Sequence, residues 1–224
     1  MKDITVKVDV DGVIRNSFQV MCDLYNKEIL PDVGMMGEGE VKRMTVDDIT
    51  DYDVSKFIKP QYKEDFKKLW GDPLTWKFVN WDLGFVAEII KKGLDDVYFV
   101  TATYPEHIGF KYNLFYKELA KAMDWSEDEA KIYVNGHLIM MQDKHLMRTD
   151  IVIDDCMDAL QLTDESVHNI LVAKPWNVKL AHKYNALYLT NRRIIICDDT
   201  GDIPEIVETI RNQRKGLRKC GFIT

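Results

Sequence analysis

Two aspartates one residue apart follow the first apolar stretch of the chain, in the sequence Asp9-Val10-Asp11-Gly12. From residue 4 to residue 9, apolar and polar side chains alternate with the period of two that is typical of a β-strand. Like charges at a strand end repel each other unless a cation lies between them. A carboxylate in such a place can also act as a nucleophile towards phosphorus. The pair alone is compatible with such chemistry and with an ordinary solvated strand end.

Three later sets of polar residues accompany apolar stretches in a similar way. Thr101 ends one apolar run, and Lys144 precedes another. Asp154-Asp155 ends this second run, which covers 151–153. These residue types suit phosphoryl transfer, in which an aspartate attacks phosphorus in line while a divalent ion screens the charges. A hydroxyl and an ammonium group hold the transferring oxygens, and two carboxylates with a backbone carbonyl suit Mg²⁺.

Each of these residues also has a plainer interpretation. Thr101 alone would be an ordinary strand terminus, and Lys144 would be a surface lysine, with Lys131 as a competitor for phosphate binding. One of the two aspartates at 154 and 155 would bind the ion, whereas the other would orient it or cap the next helix. The order in which all these residues occur favours chemistry over the separate explanations.

The composition limits the class of protein and its partners. The chain has 224 residues, 46% of them hydrophobic and 30% charged, which is typical of a soluble protein with one good core. Its net charge of −7 argues against a surface for polymeric nucleic acid, which needs an excess of basic residues. No apolar run reaches the roughly 20 residues that span a bilayer, and the N-terminus lacks the apolar stretch of a signal peptide. The four cysteines have neither metal-site nor disulfide spacing, so we expect reduced thiols, a cytoplasmic location and no membrane partner.

Apolar strand patterns alternate with helical patterns along most of the chain. After the first strand we predict five more strands and two long helices. The strands lie at 97–101, 151–153, 170–173, 186–189 and 194–197, and the helices lie at 83–92 and 112–123. A capping box that begins at Ser126 predicts the start of another helix. Apolar strands separated by helices indicate an α/β fold with a doubly wound, Rossmann-like parallel sheet, whose ligands bind beyond the carboxyl ends of the strands.

The interval from residue 15 to residue 81 interrupts this alternation. It holds an amphipathic helical pattern with apolar residues at 18, 21, 22 and 25, a Gly/Met-rich turn, and several aromatic and charged segments. An interval of this length is too long for an ordinary connection between a strand and the next core helix. We predict that residues 15–81 form a small helical cap inserted after the first strand, over a core of residues 1–14 and 82–224.

Taken together, the order and spacing of these residues resemble the haloacid dehalogenase (HAD) superfamily of phosphohydrolases. Within it, the chain is similar to the 5′(3′)-deoxyribonucleotidases, in particular their bacterial and phage members. The stretch 143–155, from Asp-Lys to Asp-Asp, resembles the lysine and metal motifs of the family, and 173–177 (Ala-Lys-Pro-Trp-Asn) resembles the loop that follows. The stretch 45–53 (Thr-Val-Asp-Asp-Ile-Thr-Asp-Tyr-Asp) resembles a cap sequence of those members. The likeness covers essentially the whole chain.

The resemblance implies a role for each acidic residue. Asp9 would be the nucleophile that forms an aspartyl-phosphate, and its carboxylate would also touch Mg²⁺, as would the backbone carbonyl of Asp11. The Asp11 side chain would protonate the leaving alkoxide and then activate the water that hydrolyses the intermediate. That role needs a pKa above the ordinary value, which the second carboxylate nearby would provide. Asp154 or Asp155 would complete the metal site.

The resemblance also implies that Thr101 and Lys144 bind the phosphate, and this chain departs from the family beside them. Ala102 stands where the mammalian nucleotidases have a serine, so its backbone N–H would bind phosphate in place of a side-chain hydroxyl. Ser17 stands where those enzymes place an aromatic residue against the base, and Arg15 is another change close to the active aspartates. These departures leave the preference for base and sugar open.

Contacts with the rest of the substrate are expected from Arg15, Phe18 and Trp76. Phe18 lies next to Ser17, and Trp76 is one of several aromatic residues in or beside the predicted cap. The aromatic residues of this region would either stack on a nucleobase or form the core of the cap. The aromatic residues in question are Tyr52, Trp70, Trp76 and Trp81.

The sequence thus predicts a Mg²⁺-dependent phosphatase that hydrolyses nucleoside monophosphates, in particular 5′(3′)-deoxyribonucleotides. One alternative is an HAD phosphatase of another small phosphomonoester, such as a sugar phosphate or a nucleic-acid 3′-phosphate end. Others are a phosphoacceptor signalling module and a catalytically silent binding protein. The acidic pair that follows the lysine, together with the predicted cap, argues against a phosphoacceptor module. A homodimer stays open, as do the base and the 5′ or 3′ position of the phosphate.

Overall fold

The computed structural model describes residues 4–30, 43–71, 77, 79–93, 96–103, 105–187 and 194–219. Strands and α-helices alternate over most of these ranges. The strands are β1 (Thr5–Asp9), β2 (Asp96–Thr101), β3 (Leu138–Met140), β4 (Ile151–Asp154), β5 (His168–Val172) and β6 (Ile194–Cys197). The α-helices are α1 (Ser17–Leu24), α2 (Lys63–Gly71), α3 (Gly84–Lys91), α4 (Ile108–Met123), α5 (Glu127–His137), α6 (Met157–Gln161), α7 (Val178–Leu187) and α8 (Ile203–Lys219).

The strands form one parallel sheet in the order β3-β2-β1-β4-β5-β6, with β1 near its centre. Val8 of β1 lies opposite Phe99 of β2 on one side and Ile153 of β4 on the other. The predicted α/β fold with a doubly wound parallel sheet is confirmed. Because parallel strands end at the same edge of a sheet, residues that follow β1, β2 and β4 come close together there.

Helices cover both faces of the sheet and bury its apolar side chains. One face packs against α3, α4, α5 and α8, in a core that includes Val6, Phe99, Phe115 and Val207. The opposite face packs against α6 and α7, in a smaller cluster around Val152. Strands that are buried on both faces are apolar throughout, which explains the continuous apolar runs of β4 and β5 in the sequence.

One predicted strand is wrong, and one observed strand has no clear signal in the sequence. Residues 186 and 187 end α7 instead of starting a strand at 186–189, and residues 188–193 lie outside the described ranges. A short apolar run fits a helix end as well as a strand, so periodicity cannot separate the two. The remaining strand is β3, which has three residues, too few to show a period. The capping box at Ser126 is confirmed, since its hydroxyl accepts the N–H of Glu129.

The segment between β1 and α3 is largely helical where the structure describes it. After α1 come a π-helical turn at Tyr25–Ile29 and one-turn 3-10 helices at Val46–Asp48, Val54–Lys56 and Pro60–Tyr62. The predicted amphipathic pattern is confirmed, because Phe18, Met21, Cys22 and Tyr25 are all buried. These four side chains belong to an apolar cluster separate from the main core, which Trp176 joins from the loop after β5. The Gly/Met-rich turn at 34–39 lies outside the described residues.

The chain enters and leaves this segment at two adjacent places. The N–H of Asn16 donates to the carbonyl of Asn80 at 3.1 Å, and the N–H of Asp82 donates to the carbonyl of Ile14 at 2.8 Å. Between them, Arg15 and Trp81 form an isolated antiparallel bridge. These crossings lie at the boundaries expected between core and cap. The division into a core of residues 1–14 and 82–224 and a cap of residues 15–81 remains a prediction.

Asp150, directly before β4, joins β1 to α8. Its Oδ2 accepts the backbone N–H and the hydroxyl of Thr5 at 2.7 and 2.9 Å, and its Oδ1 pairs with Arg214. Burial raises the pKa of Asp150, but the hydrogen bonds from Thr5 and the charge of Arg214 bring it below its ordinary value. We expect Asp150→Ala to lower the free energy of unfolding by about 1–3 kcal/mol, because it leaves donors unpartnered. Urea unfolding at neutral pH measures this change.

The matched control for Asp150 is Asp164→Ala, which removes an exposed aspartate near the same end of the sheet. Because the pKa of Asp150 is lower in the folded state, its contribution is present above the unfolded value of about 3.9 and is lost as the pH falls through the folded value. An equal effect of the two substitutions at neutral pH, or a difference that persists in strong acid, would contradict this account.

Two expectations from the composition concern cysteines and membrane spans. Cys22, Cys156 and Cys197 are free thiols, and Cys220 lies outside the described part of the chain. Among the helices that the structure describes, none has both the length and the apolar character needed to cross a bilayer.

Candidate active site

The carboxyl ends of three neighbouring strands bring the predicted site residues together. Asp9 ends β1, Thr101 ends β2 and Asp154 ends β4. Asp11 lies in the turn after β1, and Lys144 begins a 3-10 turn in the loop between β3 and β4. This placement follows from the parallel sheet, in which neighbouring strands end at the same edge.

Asp9, Asp154 and Asp155 form an acidic cluster, in which one carboxylate oxygen from each residue lies within 4.8 Å of the other two. All three residues are at most 1% exposed. Asp9 Oδ2 and both carboxylate oxygens of Asp155 accept no hydrogen bond from the described residues. Burial and the charge of Asp154 raise the pKa of Asp9 to about 7. Burial and the charge of Asp9 raise the pKa of Asp155 well above its ordinary value.

The acidic cluster fits a divalent cation. A buried, ionised carboxylate without a partner is strongly unfavourable, and a cation placed between such groups offsets this cost. Mg²⁺ takes oxygen ligands, commonly one or two carboxylates together with waters. Asp154 differs from the other two residues because its Oδ1 accepts the N–H of Cys156 at 2.8 Å. The unpartnered oxygens therefore make Asp9 and Asp155 the better candidates for direct metal ligands.

Gly12 makes room for Asp155 in the turn after β1. Its φ of +88° lies in the region that favours glycine. A Cβ atom at this position would lie 2.6 Å from Cγ of Asp155. Any other residue at position 12 would therefore strain the turn and force the Asp155 carboxylate to move.

Lys144 supplies a cation to the acidic cluster. Its Nζ donates to Asp9 Oδ1 at 2.5 Å, and the same oxygen accepts the backbone N–H of Val10 at 2.8 Å. Burial lowers the pKa of Lys144, but the charges of Asp9 and Asp154 raise it above its ordinary value, so this side chain is an ammonium ion at neutral pH. The backbone carbonyl of Lys144 accepts a hydrogen bond from Nζ of the buried Lys7 at 2.8 Å.

Asp11 lies in a network of donors. Its Oδ2 accepts hydrogen bonds from Lys111 Nζ at 2.8 Å and from the Thr101 hydroxyl at 2.9 Å, and its Oδ1 accepts one from Arg15 at 2.9 Å. Burial raises the pKa of Asp11, but Lys111 and Arg15 lower it below its ordinary value. The expectation of a raised pKa is therefore wrong for this conformation, because two cations contact the carboxylate directly.

Lys111, near the start of α4, is a residue of this site that sequence reasoning missed. It is 7% exposed, and its Nζ also donates to the Thr101 hydroxyl at 2.9 Å and to the Ala102 carbonyl at 3.0 Å. A signal was present in the sequence, since Lys111 lies four and eight residues before Phe115 and Leu119, on the buried side of the helix. A charged residue is rare on such a side unless it has a partner.

Among the other residues considered for phosphate binding, Thr101 and Ala102 lie at the site, whereas Lys131 has a different environment. The Thr101 hydroxyl donates to Asp11, and Ala102 follows directly after β2. Lys131 lies on α5, where it is 39% exposed and pairs with Asp128 at 3.2 Å. The geometry thus favours Lys144 over Lys131 as the lysine beside Asp9.

The residues expected to contact the rest of the substrate have different surroundings. Arg15 is 2% exposed, and its guanidinium group lies against Asp11 and 5.8 Å from the ring centre of Trp81. Phe18 is 8% exposed and stacks on Trp176, with the ring centres 4.1 Å apart. Packing covers both side chains in this conformation, and a contact of Arg15 or Phe18 with the substrate stays a prediction. Trp76 lies outside the described residues.

Tyr52 presents an open aromatic surface beside the acidic cluster. Its ring packs edge-on against Phe18, with the ring centres 6.0 Å apart, and 48% of the residue remains exposed. Partial burial and the charges of Asp155 and Asp9 raise the pKa of the Tyr52 phenol. Tyr52 thus takes the outer position of an aromatic group whose inner members are Phe18 and Trp176.

Comparison with known protein families agrees with this geometry. A family model described as "5' nucleotidase, deoxy (Pyrimidine), cytosolic type C protein" matches residues 2–196, a range that includes every site residue named above. A comparison with curated proteins finds no match. The predicted membership of the nucleotidase branch of the HAD superfamily is confirmed. The chain belongs to this cytosolic type C nucleotidase family, and it is therefore an HAD-type phosphatase.

Proposed function

We propose that this enzyme hydrolyses nucleoside monophosphates, preferably 5′(3′)-deoxyribonucleotides, with Mg²⁺ and through an aspartyl-phosphate on Asp9. The observation that carries the proposal is the acidic cluster, whose unpartnered oxygens lie beside the cationic Lys144. The family description, which names deoxy and pyrimidine nucleotides, supports the substrate class. We also propose that residues 15–81 act as a cap over this site and that the enzyme works in the cytoplasm.

Asp9 and Asp155 are the proposed side-chain ligands of Mg²⁺, with the backbone carbonyl of Asp11 as a further ligand. Asp154 would orient its neighbour, since one of its oxygens already accepts the N–H of Cys156. When bound, Mg²⁺ supplies positive charge that screens the repulsion between the attacking carboxylate and the phosphate.

Asp9 is oriented for attack by the contacts of one of its two oxygens. Oδ1 is held by Lys144 and by the N–H of Val10, so the carboxylate has a fixed orientation. A bond from Asp9 to phosphorus forms as the bond from phosphorus to the ester oxygen breaks. The leaving alkoxide takes a proton from Asp11, and Asp11 then removes a proton from the water that hydrolyses the aspartyl-phosphate.

The hydrogen-bond network around Asp11 affects its two proposed roles, general acid and then general base, in different ways. Contacts with Lys111 and Arg15 favour the ionised carboxylate of Asp11, which is the base that the hydrolysis of the aspartyl-phosphate requires. For the first step, the negative charge of a phosphate group bound nearby favours the protonated form of Asp11. Lys144, the Thr101 hydroxyl and the Ala102 N–H are the proposed phosphate-binding groups.

Tyr52 is the proposed wall for the nucleobase, because among the described residues it is an exposed aromatic side chain beside the acidic cluster. Stacking of a base on an aromatic ring contributes about 1–3 kcal/mol. We therefore expect Tyr52→Ala to raise KM for nucleotides about 10-fold while KM for p-nitrophenyl phosphate changes little. Steady-state phosphate release from both substrates measures this difference.

The control for Tyr52 is Tyr52→Phe, which keeps the ring and removes the hydroxyl. If stacking is the role of Tyr52, this variant behaves as the wild type. An equal loss with both substrates in Tyr52→Ala would place the effect on the catalytic steps and would contradict the assignment of the base wall.

A phosphate-release panel tests the proposed function as a whole. The panel contains 5′- and 3′-deoxyribonucleotides, the matching ribonucleotides and several sugar phosphates, each measured with Mg²⁺ and with EDTA. We expect turnover of deoxyribonucleotides that EDTA abolishes. Turnover of sugar phosphates without turnover of any nucleotide would contradict the substrate class, and full activity in EDTA would contradict the metal requirement.

A further inference from the structure

Lys7 is a buried lysine in the central strand of the sheet. It is 1% exposed and lies opposite Tyr98 of β2 and Val152 of β4. Its side chain extends on the side of the sheet opposite to that of Val6 and Val8, since neighbouring residues of a strand point to opposite faces. Nothing in the catalytic scheme above uses this side chain.

The Nζ of Lys7 reaches the loop that carries Lys144. It donates to the backbone carbonyl of Lys144 at 2.8 Å. The side chain of Lys144 in turn donates to Asp9, which lies two residues after Lys7 on the same face of β1. Strand β1 therefore holds Lys144 twice, by its backbone through Lys7 and by its side chain through Asp9.

If position 7 served only packing, a lysine there would be less favourable than an apolar side chain. A buried amine loses its hydration, whereas an apolar side chain in a central strand contributes burial without that cost. The charge of Asp154 and the hydrogen bond to the Lys144 carbonyl offset part of this loss, and the hydrogen bond also ties the side chain of Lys7 to the 3-10 turn. A displacement of about 1 Å at a catalytic group can lower a rate about 100-fold.

We propose that Lys7 is a positioning residue, which fixes the backbone of Lys144 so that the ammonium group meets the phosphate in the correct place. This inference rests on the proposed function, in which Lys144 binds the transferring phosphate. Lys7 itself touches neither substrate nor metal in this assignment.

A double-mutant cycle in the full-length enzyme tests the proposal. The four proteins are the wild type, Lys7→Met, Lys144→Met and the double variant, and kcat and KM are measured with a deoxyribonucleotide and saturating Mg²⁺. We expect Lys7→Met to lower kcat about 10–100-fold with KM changed less than about 3-fold. Lys144→Met should lower activity further, and the double variant should match Lys144→Met if Lys7 acts through the position of Lys144 and not through its charge on Asp154.

A role in packing alone would give a different result, since the loss from Lys7→Met would then be the same in both Lys144 backgrounds. That additive result would overturn the proposal, as would wild-type kcat in Lys7→Met. Lys117→Met, which removes an exposed lysine from α4, is the matched control and should leave kcat unchanged. Urea unfolding of each variant gives the folded fraction by which the rates are corrected.

Failure of the inference can be told apart from failure of the proposed function. A wild type that releases no phosphate from nucleotides, or a Lys144→Met variant with full activity, would overturn the proposed function and this inference with it. Loss in Lys144→Met with no loss in Lys7→Met would overturn the inference alone. If Lys7→Met does not fold, the cycle is repeated with Lys7→Arg, which keeps a hydrogen-bond donor on a side chain of different length. Equal losses from Lys7→Arg in the wild type and in Lys144→Met would again overturn the inference.

Discussion

Asp9→Asn is expected to lower kcat about 10⁴-fold or more, the largest effect that we expect from a single substitution in this chain. Asparagine has the shape of aspartate but lacks the negative charge that attacks phosphorus. Lys144 would also lose its anionic partner at Asp9 Oδ1. Phosphate release at saturating substrate measures the rate, and acid quenching with ³²P-labelled substrate should label the wild type and leave Asp9→Asn unlabelled.

Asp128→Asn makes the same chemical change at a side chain that is 88% exposed on α5, and it should keep wild-type activity. Asp9→Asn should remain folded, since it removes a buried charge from an already acidic cluster. Retention of most of the wild-type rate in Asp9→Asn, or covalent labelling of this variant, would show that another residue is the nucleophile.

Asp155→Asn is expected to have opposite effects on activity and on stability. Activity should fall about 10²–10³-fold, as for the loss of one electrostatic contact in an active site. In EDTA the melting temperature should rise, because the substitution removes one of three buried carboxylates that repel each other. Added Mg²⁺ should raise the melting temperature of the wild type, which binds the ion in the folded state, and should raise that of the variant less.

Differential scanning fluorimetry with EDTA and with Mg²⁺ measures the effect of Asp155→Asn on stability. Asp158→Asn, an exposed aspartate at the start of α6, is the control and should change neither activity nor the shift produced by Mg²⁺. A lower melting temperature for Asp155→Asn in EDTA would mean that this carboxylate stabilises the metal-free protein. An unchanged shift with Mg²⁺ would remove Asp155 from the proposed metal ligands.

Most of the strands that position this site could be predicted, because they follow from local patterns in the sequence. Strong apolar patterns in the sequence mark the strands that end at Asp9, Thr101 and Asp154. A parallel sheet in an α/β fold places the carboxyl ends of these strands on one edge. The three-residue strand β3 and the helical end of α7 were not predicted correctly, since very short apolar runs lack a distinguishing period.

Other parts of the site depend on contacts between distant segments. Lys111 is 100 residues away from Asp11 along the chain, and only the packing of α4 against β2 brings its ammonium group to that carboxylate. The lowered pKa of Asp11 follows from that contact and from Arg15, so the sequence could not provide its direction. The burial of Phe18 under Tyr52 and against Trp176 likewise depends on three separate segments.

The sequence by itself determined the class of fold, the succession along the chain of the strands that carry the site residues, and the kinds of side chain available at the ends of those strands. It did so because the alternation of apolar residues and the geometry of parallel sheets are local and general rules. The tertiary structure alone decided which oxygens of the acidic cluster lack partners, which cations contact Asp11 and which lysine donates to the backbone carbonyl of Lys144. Those features depend on distances of a few ångströms between segments that are far apart in the chain, and charge interactions change most steeply over such distances.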